Sequence, residues 1–285
     1  MSGMNVQTPG ALLAEAHIAR DIVPQPPRTY GSVNWIGVRT LYKREVMRFW
    51  KVATQTVAAP VVTTLLYMMI FVVAMKGARP GVDGVPFSHF VGPGLIMMAM
   101  LNNAFANSSS SLMQAKIMGT AADFLTPPLS PWELTIGFTA GAVTRGVLVG
   151  LVTAATVWPF SRFGLVHVWA IVYFSLAASM IMALTGVVAG LWAEKFDHLS
   201  AVTNFIVMPM TFLSGTFYRV NSLPHPFDQA SRFNPFFYLI DGFRYGFIGK
   251  SDGSILIGVV STFVLTVALT LVAYQIFRTG WRLKS

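Results

Sequence analysis

The chain has 285 residues, of which 54% are hydrophobic and only 11% charged, against roughly 25% charged in soluble domains; most of it needs an apolar solvent, which excludes a water-soluble globular domain. The absence of cysteine excludes disulfides, thiolate metal sites and cysteine nucleophiles. The formal charge of +9 is carried by basic residues beside apolar stretches, which points to an anionic lipid surface as partner and away from nucleic acid.

In chain order, residues 1–29 contain Pro24, Pro26 and Pro27 and no apolar core of signal-peptide length, so they read as a flexible cytoplasmic tail. Over 31–51 the pattern turns helical. Trp35, Val38, Tyr42, Val46 and Phe49 share one face, while Arg44, Arg48 and Lys51 share the other, the pattern of an interfacial helix lying along the inner leaflet. Residues 57–75 carry no charge and have the length of a membrane crossing. A second span, 90–107, is softened by Pro93, Gly94 and three asparagines, which predicts burial against protein or a wet cavity. Further spans are predicted at 134–158, 166–192, 199–218 and 254–277.

Six spans put both termini on one side. Twelve Lys and Arg residues fall on that side against seven on the other, with the bias strongest before the first span, so both termini are expected in the cytoplasm. Two connections then stand out. The cytoplasmic one, 108–133, contains a short predicted helix over 116–125 with Ile117, Ala121, Phe124 and Leu125 on one side and Pro127-Pro128 as its stop; it either docks into a soluble partner or lies back on its own spans. The outer one, 219–250, is rich in aromatics, and Asn234-Pro235 divides it into two short helical segments. That division predicts a re-entrant hairpin before the last span, with Asp241 and Arg244 spaced for a local i to i+3 pair and aromatics at the headgroup level or an outer gate.

Enzyme chemistry is not visible. The five histidines are scattered, without carboxylates at metal-ligand spacing. Residues 244–251, RYGFIGKS, nearly match the phosphate-cradling GxxxxGK[ST], but Arg244 stands at the first glycine and no strand pattern precedes it, so the chain itself is not expected to bind ATP. Three glycine pairs at i to i+4, Gly137/Gly141, Gly146/Gly150 and Gly186/Gly190, predict close helix contacts, either within the chain or between subunits. Arg145 lies inside the third span with no acidic residue in any span to oppose it, so it needs a partner, a cavity or the membrane edge, and it is a candidate for the translocation path. Glu133, Glu194 and Asp197 fall near cytoplasmic span ends and read as solvated or interfacial.

Two segments carry a family resemblance. Gly119-Thr120, Asp123-Phe124-Leu125 and Pro127-Pro128 on the cytoplasmic side, and Asn234-Pro235, Tyr238, Phe243-Arg244 and Gly249 on the outer side, resemble the permease subunit of type 2 ABC exporters over about 33–277. The resemblance implies an all-α polytopic membrane protein in which 30–285 form a single permease domain. It has six transmembrane helices, an N-terminal interfacial helix, a cytoplasmic coupling helix and an outer re-entrant hairpin. Gly119, Thr120, Asp123, Phe124 and Leu125 would couple to a cytoplasmic ATP-binding subunit, and Asn234, Pro235, Tyr238, Asp241, Phe243 and Arg244 would form an outer gate. It further implies no cofactor beyond ATP held by that partner, a second permease copy completing a homodimer, and a bacterial inner-membrane location among lipids. Family substrates include lipids, glycans and hydrophobic drugs. Ile117 and Met118 stand where the family often has an acidic-basic pair, which leaves an apolar docking contact. A self-contained secondary transporter and a passive membrane scaffold are the alternatives.

Overall fold

The structure, a computed structural model, describes residue 31, residues 33–71 and residues 84–282. The tail expected over 1–29, the end of the first predicted span, Lys76 and Arg79 lie outside these. From Asn34 onward the chain packs as one unit, and its regular elements are helices.

Helix α1 (Trp35–Trp50) starts at Asn34, whose side chain accepts the Gly37 amide, a standard N-cap bond. It meets α2 (Thr54–Met69, opening with a π-helical turn) at a bend of 73°, so one lies across the foot of the other. α3 (Phe87–Ile117) is followed by the four-residue α4 (Ala122–Leu125). α5 (Pro131–Ser161) opens with a capping box between Ser130 and Glu133. α6 (Val168–Trp192) precedes α7, which is built of Phe196–Val202, a π turn at Thr203–Val207, and Met208–Leu213. α8 (Phe227–Phe233), α9 (Pro235–Ile248) and α10 (Ile255–Thr279) complete the fold.

α3 is the centre of the bundle and is buried along most of its length. It runs through Ser108–Ser111 without interruption, ten residues past the predicted end of the second span. A serine run reads as loop because hydroxyls compete for backbone groups, but here Ser109 donates back to the Phe105 carbonyl at 2.8 Å and Ser108 to the Ala183 carbonyl of α6 at 2.7 Å. The expected continuous helix over 116–125 is accordingly absent: α3 ends at Ile117 and Gly119, with φ of +67°, breaks the chain before α4.

All three glycine pairs make contacts inside the chain. A Cβ on Gly137 or Gly141 would lie within 2.5 Å of Leu41 or Glu45 of α1; on Gly146 or Gly150 it would press on Ala104 or Met100 of α3; on Gly186 or Gly190 it would reach the Phe105 or Ser109 carbonyls of α3. These notches let α1 and α6 sit against α5 and α3 at backbone distance.

Two ends of the bundle can be distinguished. At one, Asn34 bonds to Glu133 and Pro128, Lys116 reaches Leu191 and Ala193, and Arg282 reaches Trp192. At the other, Ser161 bonds to Ser88, Arg244 to Phe90 and Gly215, and Asp241 to Gly253. α2, α3, α5, α6, α7 and α10 each run between these ends, and the start of α1 and the finish of α10 lie at the first of them. Among the described residues three helices, α5, α6 and α10, are long and apolar enough to cross a membrane, or four if α1 and α2 count as one broken span. α3 is too polar and α7 too short and interrupted to meet that measure alone; α3 is buried against protein along most of its length, and both border the cavity described next.

Candidate functional site

A cavity of about 540 Å³ opens between α2, α3 and α7. Its wall is two-faced: Asn102, Asn103, Ser109, Ser110, Ser200 and Asn204 offer amides and hydroxyls, while Tyr67, Leu95, Met98, Phe105 and Met208 are apolar. Among the described residues no charged side chain lines it. Two arginines instead stand behind the polar wall. Arg145 Nη2 donates to Asn103 Oδ1 at 3.1 Å, and its Nε has no hydrogen-bond partner among the described residues. Arg48 Nη1 donates to Ser110 Oγ at 3.2 Å, and its Nη2 donates to the Asn107 carbonyl and Oδ1 at 2.6 and 3.0 Å. The sequence-predicted path residue Arg145 therefore backs the wall and does not line it; the lining comes from the Asn and Ser residues that softened the second span.

Arg48 corrects the expected layout of α1. The face turned inward carries Leu41, Glu45 and Phe49, whereas Trp35 is 71% exposed and Ile36, Met47 and Trp50 also face out. Glu45 is fully buried. Its Oε1 accepts from Ser111 Oγ at 2.8 Å and lies 3.2 Å from Arg44, and its Oε2 lies 3.6 Å from Arg48 Nε. A buried carboxylate draws its arginines inward with it, so Arg48 turns toward α3 and is engaged by Asn107 and Ser110. The missed signal was an acidic residue at i+4 from Leu41 and i−4 from Phe49, between two arginines, with Gly137/Gly141 to receive it.

At the end bearing α4, Gly119, Thr120 and Asp123 are exposed, as are Ile117 and Met118, whereas Phe124 is 2% exposed. Phe124 meets Phe138 of α5 edge-on at 5.3 Å, and the Arg44 guanidinium lies 5.5 Å from its ring centre. Of the two expected orientations, Phe124 takes the inward one, and the surface open to a partner is the 117–120 turn with Asp123. Glu133, expected to be solvated, is buried and accepts the backbone amides of both Asn34 and Ser130, fastening the starts of α1 and α5 together. Lys116 donates to the Leu191 and Ala193 carbonyls at 2.8 and 2.6 Å, a cation at the α6 C-terminus where the helix dipole favours it. Burial lowers its pKa below the ordinary lysine range, and nearby Arg282 acts in the same direction.

At the opposite end the two-segment break falls at Asn234 as predicted. Asn234 Oδ1 accepts the Phe236 amide, its Nδ2 bonds to Met210 and Ser214 at the end of α7, and Pro235 takes the first helical position of α9. α9 then packs into the bundle: Phe236, Phe237, Phe243 and Phe247 are buried, while Tyr238 is partly exposed. Asp241 and Arg244 do not pair along the helix. Asp241 accepts the Asp252 and Gly253 amides, both at 2.9 Å, so it holds the entry to α10. Burial pushes its carboxyl pKa up, although those amides and Arg244 pull it the other way. Arg244 donates to the carbonyls of Phe90 at 3.1 Å and Gly215 at 2.8 Å, with its guanidinium 3.8 Å from the Phe90 ring centre. The chain around RYGFIGKS is the end of an α-helix closed by Gly249 with φ of +71°, which is not the strand-loop-helix form of a phosphate loop.

Comparison with known proteins adds to this geometry. A family model described as ABC-2 type transporter matches residues 37–248. The inner membrane transport permease YadH of Escherichia coli K12 is 35% identical over 257 residues, covering 88% of this chain and 98% of its own length. Nodulation protein J of Sinorhizobium fredii is 27% identical over 233 residues, covering 78% and 84% respectively. The same-named protein of Rhizobium leguminosarum bv. viciae is 24% identical over 246 residues, covering 82% and 91%.

Proposed function

The chain belongs to the ABC-2 type transporter family, and from that premise we propose that it is the membrane-spanning permease subunit of an ATP-driven exporter in a bacterial inner membrane, served by a separate cytoplasmic ATP-binding subunit. The observation that carries this reading is the cavity between α2, α3 and α7: an open-sided wall, mostly apolar, with amides and hydroxyls set into it and no charged side chain among the described residues, suits a cargo with both polar and hydrocarbon parts. That chemistry fits a lipid, a glycan-bearing lipid or an amphipathic drug.

In this reading the six helices that run between the two ends all cross the membrane, and the end bearing α4 and both termini faces the cytoplasm. The name of the Escherichia coli relative supports the inner-membrane assignment, and the lysine and arginine bias supports the orientation. The exposed apolar residues Val62 and Leu66 on α2 and Phe205 on α7, the last 81% exposed, flank the open cavity. A second permease copy seated on them closes the path.

The ATP-binding subunit docks on Ile117, Met118, Gly119, Thr120 and Asp123, with Leu125 in the same stub and Phe124 as its root. Movement of the stub reaches the cavity through touching groups: Phe124 under Arg44, Arg44 on Glu45, Glu45 beside Arg48, and Arg48 on Ser110 of the cavity wall. Closure of the motor shifts the permeases as rigid bodies between inward- and outward-open states. α9, bonded to α3, α7 and the entry to α10, acts as the fixed outer gate. Co-purification with an ATP-binding subunit, then ATP-dependent flux of a fluorescent lipid in vesicles, tests the assignment. Asn102→Leu should change which cargo stimulates hydrolysis; flux that persists without any ATPase would overturn the proposal.

A further inference from the structure

A second cavity has no part in that transport path. It has a volume of about 510 Å³ and lies between α3, α5, α6 and α9, lined among others by Met100, Val147, Leu151, Trp158, Leu165 and Phe247. Among the described residues Ser175 and the Trp158 indole are the only polar side-chain groups in its wall, so water finds too few partners there, and an unfilled void forfeits contacts all round its lining. The size falls within the roughly 300–1,000 Å³ of ligand sites.

Its shape relates it to a membrane leaflet. From Val147 to Trp158 the wall follows α5 for roughly 16 Å at helical rise, about half of the ~30 Å hydrocarbon core. The mouth is marked by Leu151 and Leu165, 67% and 59% exposed. At the hairpin end Trp158 packs edge-on against Phe163 at 5.2 Å. Between them Arg162 closes α5 in a left-handed conformation, exposed, with no side-chain hydrogen bond or ion pair among the described residues. An indole beside an unengaged cation, above an apolar slot one leaflet deep, matches the parts of a phospholipid in order: interface, phosphate, chain.

We propose that this cavity holds one acyl chain of a phospholipid from the leaflet on the hairpin side, with its phosphate at Arg162. The full chain is reconstituted in vesicles of phosphatidylethanolamine and phosphatidylglycerol bearing a photoactivatable diazirine on the acyl chain, and cross-linked peptides are mapped by mass spectrometry. Labelling of residues 147–171 should exceed that of the outward face of α10 (Leu256, Phe263, Leu271) severalfold. Ala154→Trp, which fills the cavity, should bring the two to parity; if that variant aggregates, Leu151→Trp at the mouth takes its place. Arg162→Gln should reduce phosphatidylglycerol retained through mild detergent washing severalfold while leaving the elution volume unchanged. Even labelling in the parent chain, an excess that survives the filled cavity, or cross-links from 147–171 to a second copy would each overturn the proposal.

Discussion

Glu45→Ala separates a structural ion pair from incidental polarity at the foot of the bundle. Glu45 has no exposed surface, and the Arg48 side chain is 26% exposed. Truncation removes the charge opposite Arg48 and the acceptor of Ser111, whereas Arg48 keeps its bonds to Asn107 and Ser110. Breaking a buried pair on one side costs about 3–5 kcal/mol; the residual exposure and the retained acceptors set the expectation near the lower limit, about 3 kcal/mol. The double change Glu45→Leu with Arg48→Met leaves only Arg44 without its carboxylate, and that side chain is 39% exposed and so solvated, so the change should be close to neutral. At about 2–4 °C per kcal/mol for a chain of this size class, the single variant should lose on the order of 6–12 °C in unfolding midpoint in detergent micelles, followed by tryptophan fluorescence, and the double variant far less. An equal loss in both would refute the ion-pair account and assign the cost to packing on Gly141.

Phe124→Ala removes the root of the stub beside Phe138 and should cost about 3–5 kcal/mol of stability, read as a lower unfolding midpoint with weaker stimulation of the partner ATPase; unaltered values for both would mean that the ring is not a packing element. Leu125→Asp should insert normally but separate ATP hydrolysis from transport in vesicles, and normal transport would remove the coupling assignment. Arg244→Lys keeps the charge but cannot reach the Phe90 and Gly215 carbonyls with one planar fork, so a loss of roughly 1.5–3 kcal/mol is expected, with increased hydrogen exchange at residues 214–216; exchange unchanged there would contradict it. Gly190→Leu sets a side chain against the Ser109 carbonyl, 2.8 Å from the added Cβ, and should lower folded yield through an overpacking cost of roughly 1–3 kcal/mol, measured as the monodisperse fraction on gel filtration.

What was legible in the sequence followed from local rules. The Asn234-Pro235 break, the charge-free last helix and the small-residue notches depend on neighbours within one turn, and the structure has them where the residues stand. The Ser108–Ser111 run misled because a serine hydroxyl can satisfy its own helix as readily as interrupt it, and only the approach of α6 decides between them. Ser130 to Glu133 is a capping-box pattern that places the start of α5 at Pro131, three residues before the predicted span, and it was readable without a fold. The partners of Asp241 and Arg244 were not: their bonds go to backbone groups 11 to 154 residues away, and a pair at i to i+3 is only the nearest of many options.

Those long-range bonds share one physical cause. In lipid, apolar burial hardly distinguishes a helix neighbour from an acyl chain, so it cannot by itself fix which helices touch. Specificity falls to close backbone approach and to polar groups that are expensive to leave unpaired. The chain concentrates its few charges accordingly. Glu133 ties α1 to α5, Glu45 and Arg48 tie α1 to α3, Arg244 ties α9 to α3 and to the turn after α7, and Asp241 ties α9 to the entry of α10. α10 is the contrasting case. It carries no charge before Arg278, keeps a broad apolar face outward, and is held along its length by the Tyr173 hydroxyl on the Val259 carbonyl and by stacked rings at Tyr274 and Phe277. The low charge content that identified a membrane protein is therefore also why its remaining charges are informative: most of those turned inward join two elements, while Arg145, held through Asn103 and without a carboxylate among its described bonds, stands behind the cavity wall where a cargo's polar part would pass.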